Sequence, residues 1–267
     1  MSETAEIPEA VRLLAESPGA YGPVPPGFER ILEDGYCLFL GPMEQMTMVQ
    51  RIRLGEGGEE RALAKVRALA RERGRKRVTW WIGDSTTPAD LEERLLALGL
   101  KAAAMPIHEP TYAALALVRP PEGSPGVAVA RRVESFDEFS AASDIAQEAF
   151  GHTEEQRASW RESLPLLYEL EQQDITATYL AFLEDEPVAT ATAVFTEKGV
   201  LLVSGSTLPA ARGRGCYRAL VQARWEDAVR RGTPALVVQA GEMSRPILER
   251  LGFQPVCELR VLVDELE

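Results

Sequence analysis

The chain has 267 residues, of which 45% are hydrophobic and 26% are charged, and its formal net charge is −12. This composition is typical of a folded globular protein and excludes a chain dominated by disorder. The excess of acidic side chains argues against nucleic acid and anionic membranes as partners; it would attract a cationic or amine-bearing substrate, or it serves solubility alone.

The distribution of charge and the numbers of cysteines and histidines limit the compartment and the kinds of disulfide or metal site that we expect. Residues 1–125 hold 15 basic and 18 acidic side chains, whereas residues 126–267 hold 14 and 23. The first residues are acidic and no apolar run approaches a membrane span, so we expect a cytoplasmic protein. Cys37, Cys216 and Cys257 are odd in number and far apart, which indicates neither a disulfide framework nor a zinc site. Two histidines are too few for a histidine-rich metal site, so no metal is predicted.

In chain order, the first half predicts an antiparallel meander, a helix, a strand and a short helix. The meander is expected at 28–33, 36–40 and 46–54, the helix around 61–74, the strand at 78–82, and the short helix just before Leu98-Gly99-Leu100. The basic cluster at 71–77 falls at a helix C-terminus, where cations suit the dipole, and is interpreted as structural. Prolines and glycines at 119–126 predict a stiff connection between domains 1–122 and 123–267.

The second half predicts a longer series of the same kind. A strand at 127–133 and helices at 136–150 and 153–171 precede a second meander at 176–184, 188–196 and 200–207. A helix at 218–231, a strand at 235–238, a short helix at about 244–251 and a closing strand at 253–263 complete the order β-α-α-β-β-β-α-β-α-β.

The two halves contain an internal repeat. When Arg61-Ala62-Leu63 is placed on Arg218-Ala219-Leu220, Gly58 falls on Gly215, and each helix ends at a glycine that is followed by a strand. This pattern indicates an old duplication. We therefore predict an α/β (α+β) fold of two tandem mixed-sheet domains, in which the N-terminal copy is truncated and degenerate.

The turn after the predicted strand at 200–207 is basic and rich in glycine. Gly213 and Gly215 can adopt backbone angles closed to other residues, so successive N–H groups can face one anion at a helix N-terminus. Arg212 and Arg214 add positive charge. The turn lacks the pattern of a nucleotide P-loop and the third glycine of a dinucleotide fingerprint. It predicts a phosphate site; the alternative is an ordinary turn with solvated arginines.

The corresponding turn of the first half is acidic. It carries Glu56, Glu59 and Glu60, and it has glycines where the second copy has Arg212 and Arg214. Three carboxylates would repel a pyrophosphate, and the helix dipole, worth about 0.3–1 kcal/mol per nearby charge, could not compensate. We predict that the first domain does not bind the cofactor. It serves as a packing scaffold or, alternatively, as a lid or as the surface of a homodimer.

On these residues, the second half resembles the GNAT superfamily of acyl-CoA-dependent N-acyltransferases. The family's pyrophosphate motif, Arg/Gln-x-x-Gly-x-Gly/Ala, resembles Arg212-Gly213-Arg214-Gly215-Cys216, and Leu251-Gly252-Phe253 resembles the end of the family's last helix. The element order agrees over residues 126–263. The tandem arrangement is similar to that of mycothiol synthase, in which one copy is degenerate.

The resemblance implies an N-acetyltransferase that uses acetyl-CoA as co-substrate and transfers the acetyl group directly to a small-molecule or peptide amine. Acetyl-CoA would lie in a V-shaped opening between the strand ending at Thr207 and the strand at 235–240. Backbone groups of Thr207 and Leu208 would hold the pantetheine arm. The pyrophosphate would be held by the turn and the first helical N–H groups, namely Arg212, Gly213, Arg214, Gly215, Cys216, Tyr217 and Arg218. A non-catalytic acyl-CoA-binding or regulatory module is the alternative.

Departures from the family pattern concern the cofactor turn and the acid. Tyr217 replaces a small residue and either points away from the phosphates or stacks beside the cofactor, and Cys216 is either a small core residue or a thiol activated by the helix N-terminus. Leu248 stands where the family often has the tyrosine that protonates the leaving thiolate. Ser244, one turn earlier, could donate that proton or simply cap the helix.

The usual carboxylate base is also missing, because the strand before the motif offers only Ser204 and Ser206. An ammonium must lose a proton before it attacks a thioester. On the acceptor side, His152 has a reference pKa near ~6.5 and is the first candidate base; Glu148 is the second. Glu242 could bind the amine. Each is alternatively a solvated residue, and orientation with water relays can itself supply about 7–11 kcal/mol.

Overall fold

The structure is a computed structural model that describes residues 6–105, 108–124 and 126–266. Pro125, part of the predicted stiff connection, lies outside the described residues. The helices are α1 (Glu9–Glu16), α2 (Pro18–Tyr21), α3 (Glu59–Glu72), α4 (Leu91–Ala97), α5 (Phe136–Ala149), α6 (Glu154–Gln172), α7 (Cys216–Arg230) and α8 (Arg245–Arg250). The strands are β1 (Glu29–Glu33), β2 (Tyr36–Leu40), β3 (Thr47–Gln50), β4 (Arg77–Ile82), β5 (Lys101–Ala102), β6 (Thr111–Leu117), β7 (Val129–Arg132), β8 (Thr176–Leu183), β9 (Glu186–Thr196), β10 (Gly199–Thr207), β11 (Leu236–Ala240) and β12 (Gln254–Glu265).

Most predicted elements are confirmed to within a few residues. The sequence patterns did not predict α1, α2 or β6. The two helices have only 8 and 4 residues, and β6 consists largely of alanine and leucine, which have low strand propensity. Tertiary packing, rather than local preference, therefore fixes α2 and β6, whereas α1 consists mainly of strong helix formers and is only short.

The chain folds into two compact units that interleave along the sequence. The C-terminal unit contains Ala116–Val238 and Leu248–Gln254 together with the first described residues up to Val11. The N-terminal unit contains Arg12–Leu115, Gln239–Ile247 and the residues from Pro255 onward. Compact units and copies of a duplication are different divisions of a chain, so the domain limits 1–122 and 123–267 stay a prediction.

In the C-terminal unit the strand order is β7-β8-β9-β10-β11. Neighbours are antiparallel except for β10 and β11, which are parallel. Because successive side chains of a strand face opposite sides of the sheet, Leu180 packs with Ala142 and Ile145 of α5, while the preceding residue, Tyr179, donates its hydroxyl to Asp227 of α7. The two helical layers therefore cover opposite faces of this sheet.

The N-terminal unit repeats this pattern. Its strand order is β1-β2-β3-β4-β12-β6, with an antiparallel meander and then the parallel strand β4 after α3. Its core contains Leu38, Val66, Trp80 and Leu95. Helices α1 and α2 precede the meander as α5 and α6 precede the second, but with 8 and 4 residues instead of 14 and 19. The first copy is therefore shortened in its helical layer.

The last strand of the chain belongs to the N-terminal unit. Strand β12 runs antiparallel to β4, with Arg260 opposite Ile82 and Glu265 opposite Arg77. Asp264 is 2% exposed, and it accepts hydrogen bonds from Nε (2.9 Å) and Nη2 (2.8 Å) of Arg67 on α3. By its place in the sequence, β12 would belong to the second copy. Its pairing with β4 instead makes it part of the N-terminal unit.

We expect Asp264→Ala to lower the free energy of unfolding by about 3 kcal/mol, because it leaves Arg67 beside a vacated, desolvated position. Glu265→Ala is the matched control, since that carboxylate is exposed and pairs with exposed Arg77; its cost should stay below about 1 kcal/mol. Urea unfolding of both variants checks this. Equal losses in the two variants would contradict the role given to Asp264.

Candidate functional site

Strands β10 and β11 separate after a short stretch of pairing. They pair at Val200 with Leu236 and at Leu201 with Val237, whereas β10 continues to Thr207. Parallel neighbours normally continue their ladder along their shared length. Beyond Leu201 and Val237 the two strands therefore leave an opening between their edges, beside the second half of β10, which is where the resemblance places acetyl-CoA.

A β-bulge lies in β10 next to this opening. Val203 pairs with Thr192 of β9, but Ser206 pairs with Thr190, so β10 holds one extra residue. Ser204 within it has φ +54. This bulge was not predicted from the sequence. A glycine inside a strand often marks a β-bulge, and Gly205, which lies between two serines, is such a glycine. The extra residue disrupts the ladder and turns β10 beside the opening.

The turn after β10 has the backbone geometry of an anion site. A short 3-10 turn over Pro209–Ala211 leads to Gly213 (φ +77) and Gly215 (φ +89), which caps α7. A Cβ at Gly213 would meet nothing within 4 Å, so the backbone angle rather than space requires glycine. Ala219 N–H is the donor to Gly215, and the helix N–H groups before it have no intrahelical acceptor. They face the helix N-terminus, where an anion is favoured.

Two arginines of the turn are exposed and weakly engaged. Arg214 Nη2 lies 3.7 Å from Glu184 Oε1, and both side chains are at least half exposed, so this pair contributes under about 1 kcal/mol. Arg212 Nε donates to the Thr207 carbonyl at 3.3 Å. Arg218 differs, because its side chain is already engaged: Nη1 donates to the Ser124 carbonyl at 2.6 Å. Its contribution to the turn is therefore its backbone N–H. Arg212 and Arg214 are thus the cations available to a ligand.

The end of β10 offers hydroxyl groups rather than the predicted backbone groups of Leu208. Leu208 N–H donates to Val188, and its carbonyl accepts from Ala211 N–H, both at 2.9 Å. By contrast, the side-chain oxygens of Ser206 and Thr207 are buried and have no hydrogen-bond partner among the described residues. A buried hydroxyl without a partner costs free energy. The two hydroxyls face opposite sides of the sheet, so one of them is placed to meet a polar ligand at the end of β10, where Leu208 is already engaged.

Cys216 and Tyr217 both face the interior. Cys216 is 1% exposed, and burial raises the pKa of its thiol, which favours the core interpretation over an activated nucleophile. The Tyr217 ring packs on the bulge: a Cβ added to Gly205 would lie 2.9 Å from Tyr217 Cε2. Burial also raises the pKa of the Tyr217 phenol. Tyr217 therefore supports β10 from the α7 side.

The acceptor-side candidates lie between α5 and α6. His152 Nδ1 is 2.5 Å from Oε1 of the buried Gln147; in the tautomer that donates to this oxygen, Nδ1 carries the proton and Nε2 the lone pair. Burial, with a smaller contribution from Arg157, lowers the pKa of His152. Glu148 is exposed on the last turn of α5. Thr153 and Gln156 form a capping box at the start of α6.

Ser244 and Glu242 belong to the N-terminal unit, whereas the turn at 212–215 belongs to the C-terminal unit. Ser244 precedes α8, and its hydroxyl donates to the Gly241 carbonyl at 3.3 Å. Glu242 is exposed, and its N–H donates to Glu109 Oε2 at 2.7 Å. Leu248 is fully buried. The structure thus groups the predicted cofactor residues on one turn, while the predicted acid and base come from separate segments.

The equivalent turn of the first copy differs in backbone as well as charge. Gly57 has φ +66, but Gly58, which caps α3, is right-handed with φ −81, whereas its counterpart Gly215 is left-handed. Glu59 opens the helix, and its carboxylate accepts from Arg94 at 3.1 Å. This turn therefore lacks both the second left-handed glycine and the cations.

In the described ranges, no group of three or more His, Cys, Asp or Glu side chains could hold a metal ion. No helix in the same ranges combines the length and the apolar character that crossing a membrane requires.

Comparison with solved structures identifies the fold. A GCN5-related N-acetyltransferase from Kribbella flavida aligns with a TM-score of 0.68 and 17% identity over 97% of this chain and 96% of that chain. A tandem GNAT protein from the clavulanic acid biosynthesis pathway aligns at 0.60 and 16%, over 98% and 90%. A GCN5-related N-acetyltransferase from Sphaerobacter thermophilus aligns at 0.59 and 19%, over 89% and 82%. No protein-family model and no curated protein matches the chain. The chain has the tandem fold of the GCN5-related N-acetyltransferases.

Proposed function

We propose that this protein is an N-acetyltransferase that transfers an acetyl group from acetyl-CoA directly to an amine. The observation that carries this proposal is the opening between β10 and β11, which leads to a turn with two left-handed glycines and exposed arginines. An elongated thioester with a pyrophosphate at one end fits such an arrangement. The hydroxyls of Ser206 and Thr207, buried and without a partner among the described residues, support that fit: they face opposite sides of the sheet, so one of them would meet the arm where it enters.

The residues of the turn would divide the work of holding acetyl-CoA. Backbone N–H groups from Arg214 to Arg218 would bind the pyrophosphate, and the guanidinium groups of Arg212 and Arg214 would neutralise its charge. When bound, acetyl-CoA supplies an acyl group activated as a thioester. The chain's own task is then to orient the amine, exclude water and move protons.

His152 is the residue we propose as the base. A neutral imidazole with its lone pair on Nε2 can take the proton from an incoming ammonium, and the lowered pKa keeps it neutral near pH 7. Glu148 remains the alternative base, and Ser244 the proposed donor to the leaving thiolate. The acceptor we propose is a small-molecule or peptide amine, which the acidic second half of the chain would attract.

A non-catalytic acyl-CoA-binding module is the second candidate. A specific feature favours it: Leu248, an aliphatic and fully buried residue, stands where the family often has its acid tyrosine, and β10 carries Ser204 and Ser206 instead of a carboxylate. Such a module would bind acetyl-CoA without releasing free thiol. The first copy, whose turn is acidic, would act as a scaffold under either candidate, and a homodimer is compatible with both.

Binding is tested with two matched glycine variants at opposite ends of α7. Gly215 and Gly232 are both left-handed, at φ +89 and +73, so valine at either position should cost about 1–2 kcal/mol of stability. We expect Gly215→Val to weaken acetyl-CoA binding at least about tenfold, because it reorients the N–H groups at the turn, and Gly232→Val to leave binding unchanged. Calorimetric titration measures both affinities; equal effects would overturn the site assignment.

Catalysis is tested by thiol release from acetyl-CoA across a panel of amines. Release with one or more amines supports the acetyltransferase. Binding without release from any amine favours the second candidate, and no binding of acetyl-CoA to the wild-type protein overturns both.

The state of His152 is tested by its pH titration, followed by NMR in the wild type and in His108→Gln to assign the signal. We expect a midpoint below the ordinary 6.5 and a shift upward in Arg157→Gln, which removes a repelling cation. Since the folded state binds this proton more weakly than the unfolded state, the associated stability is present above pH 6.5 and is lost as the pH falls below it. A midpoint above 6.5 would contradict burial as the dominant effect.

A further inference from the structure

Arg224, on the face of α7 that packs on the sheet, is a buried cation that the proposed function does not yet use. It is 1% exposed. Its Nε donates to the Leu220 carbonyl at 2.9 Å, its Nη1 lies 3.4 Å from the Thr192 carbonyl, and its Nη2 is buried without a hydrogen-bond partner among the described residues. A guanidinium stays charged in a protein, so a full positive charge is held in the interior.

Among the residues that the structure describes, no carboxylate forms an ion pair with Arg224. The groups that act on Arg224 electrostatically are the phenols of Tyr179 and Tyr217. Asp227, one turn further along α7, is already engaged by Arg132, Arg230 and the Tyr179 hydroxyl. A buried charge without a counterion is costly, so a purely structural position would favour an apolar side chain of similar size.

Arg224 lies level with the β10 bulge. The Thr192 carbonyl that it approaches belongs to the residue paired with Val203, the last regular pair before the bulge. Tyr217, seven residues earlier on the same face of α7, packs against Gly205 in the bulge. Adjacent strands lie about 4.8 Å apart, so the guanidinium is about one strand away from β10 at this level.

The opening sets the depth at which a thioester would lie. Its entrance is at Thr207, and it closes where Leu201 pairs with Val237. An arm that enters at Thr207 must therefore end beside the stretch from Leu202 to Ser206, which is the level of the bulge. A strand rises about 3.3 Å per residue, so this stretch is long enough for the end of a pantetheine arm.

We propose that Arg224 is a positioning residue whose buried charge, placed behind the bulge, stabilises the thiolate that leaves when the amine attacks the thioester. This inference rests on the proposed function. In that step the amine nitrogen forms a bond to the acyl carbon, the carbon–sulfur bond breaks, and sulfur keeps the electron pair. The base takes one proton from the ammonium before the attack and releases it to water; the second proton, which the nitrogen loses once it is bonded to the acyl carbon, then passes to the base. Arg224 transfers no proton; its field takes over part of the role that a tyrosine acid at Leu248 would have.

The test measures the pKa of the thiol of bound CoA, followed by the ultraviolet absorbance of the thiolate. At roughly 10 Å and an effective dielectric constant near 20, one charge shifts a pKa by about one unit. We expect Arg224→Met to raise the pKa of the bound thiol by about one unit and to lower kcat about tenfold, with the KM for acetyl-CoA unchanged. Arg224→Lys keeps the charge and should retain most of the wild-type behaviour.

Two further variants separate charge from structure. Arg224→Gln can still donate to the Thr192 carbonyl; if it restores the wild-type thiol pKa while Arg224→Lys does not, Arg224 acts only as a structural clamp and the inference is overturned. Arg250→Met removes the same charge from an exposed position on α8 and should change neither the thiol pKa nor kcat. We expect Arg224→Met to fold with an unchanged or higher Tm, because it removes an uncompensated buried charge.

Different results would overturn the role of Arg224 and the proposed function. CoA that binds to wild type and Arg224→Met with the same thiol pKa overturns the role of Arg224 alone. No saturable binding of CoA to the wild type overturns the proposed function and this inference together. If Arg224→Met does not fold, the comparison of Arg224→Gln with Arg224→Lys decides the question.

Discussion

The early separation of two parallel strands is the constraint on which the candidate site depends. After Leu201 and Val237, β10 and β11 no longer share a ladder, and the bulge at Ser204 and Gly205 then turns β10 further. Each unmade ladder bond leaves backbone groups that need another partner. An extended, amide-bearing ligand would supply such partners, and the buried hydroxyls of Ser206 and Thr207 would gain them too.

Helix α7 links the parts of this site. Its N-terminus, opened by left-handed Gly215, provides donors for an anion; its second residue, Tyr217, packs on the bulge; and two turns further, Arg224 places a charge behind the bulge. The same helix therefore carries the donors at the anion turn and the side chains that pack beside the middle of the opening. The first copy has the same order of elements, but its turn carries Glu59 and a right-handed Gly58, so an analogous site is disfavoured there by backbone and charge alike.

Local signals account for what the sequence could predict. The left-handed angles of Gly213 and Gly215, the capping box at Thr153 and the two meanders each follow from residue type and spacing over a few positions. Properties that depend on distant partners could not be predicted in this way. The pairing of β12 with β4, the hydrogen bond from Leu208 N–H to the Val188 carbonyl and the burial of Arg224 all depend on segments that are far apart in the chain.

The central claim is that the turn at Arg212 to Gly215 recognises the pyrophosphate of acetyl-CoA. The most direct measurement is a calorimetric cycle that compares acetyl-CoA with S-acetylpantetheine, which has the same thioester arm but no pyrophosphate, in the wild type and in Arg212→Gln. Charge-assisted hydrogen bonds contribute about 1.5–3 kcal/mol each, so acetyl-CoA should bind the wild type at least about tenfold more tightly, and the variant should lose much of that difference. Equal affinities of the two ligands for the wild type would contradict the account.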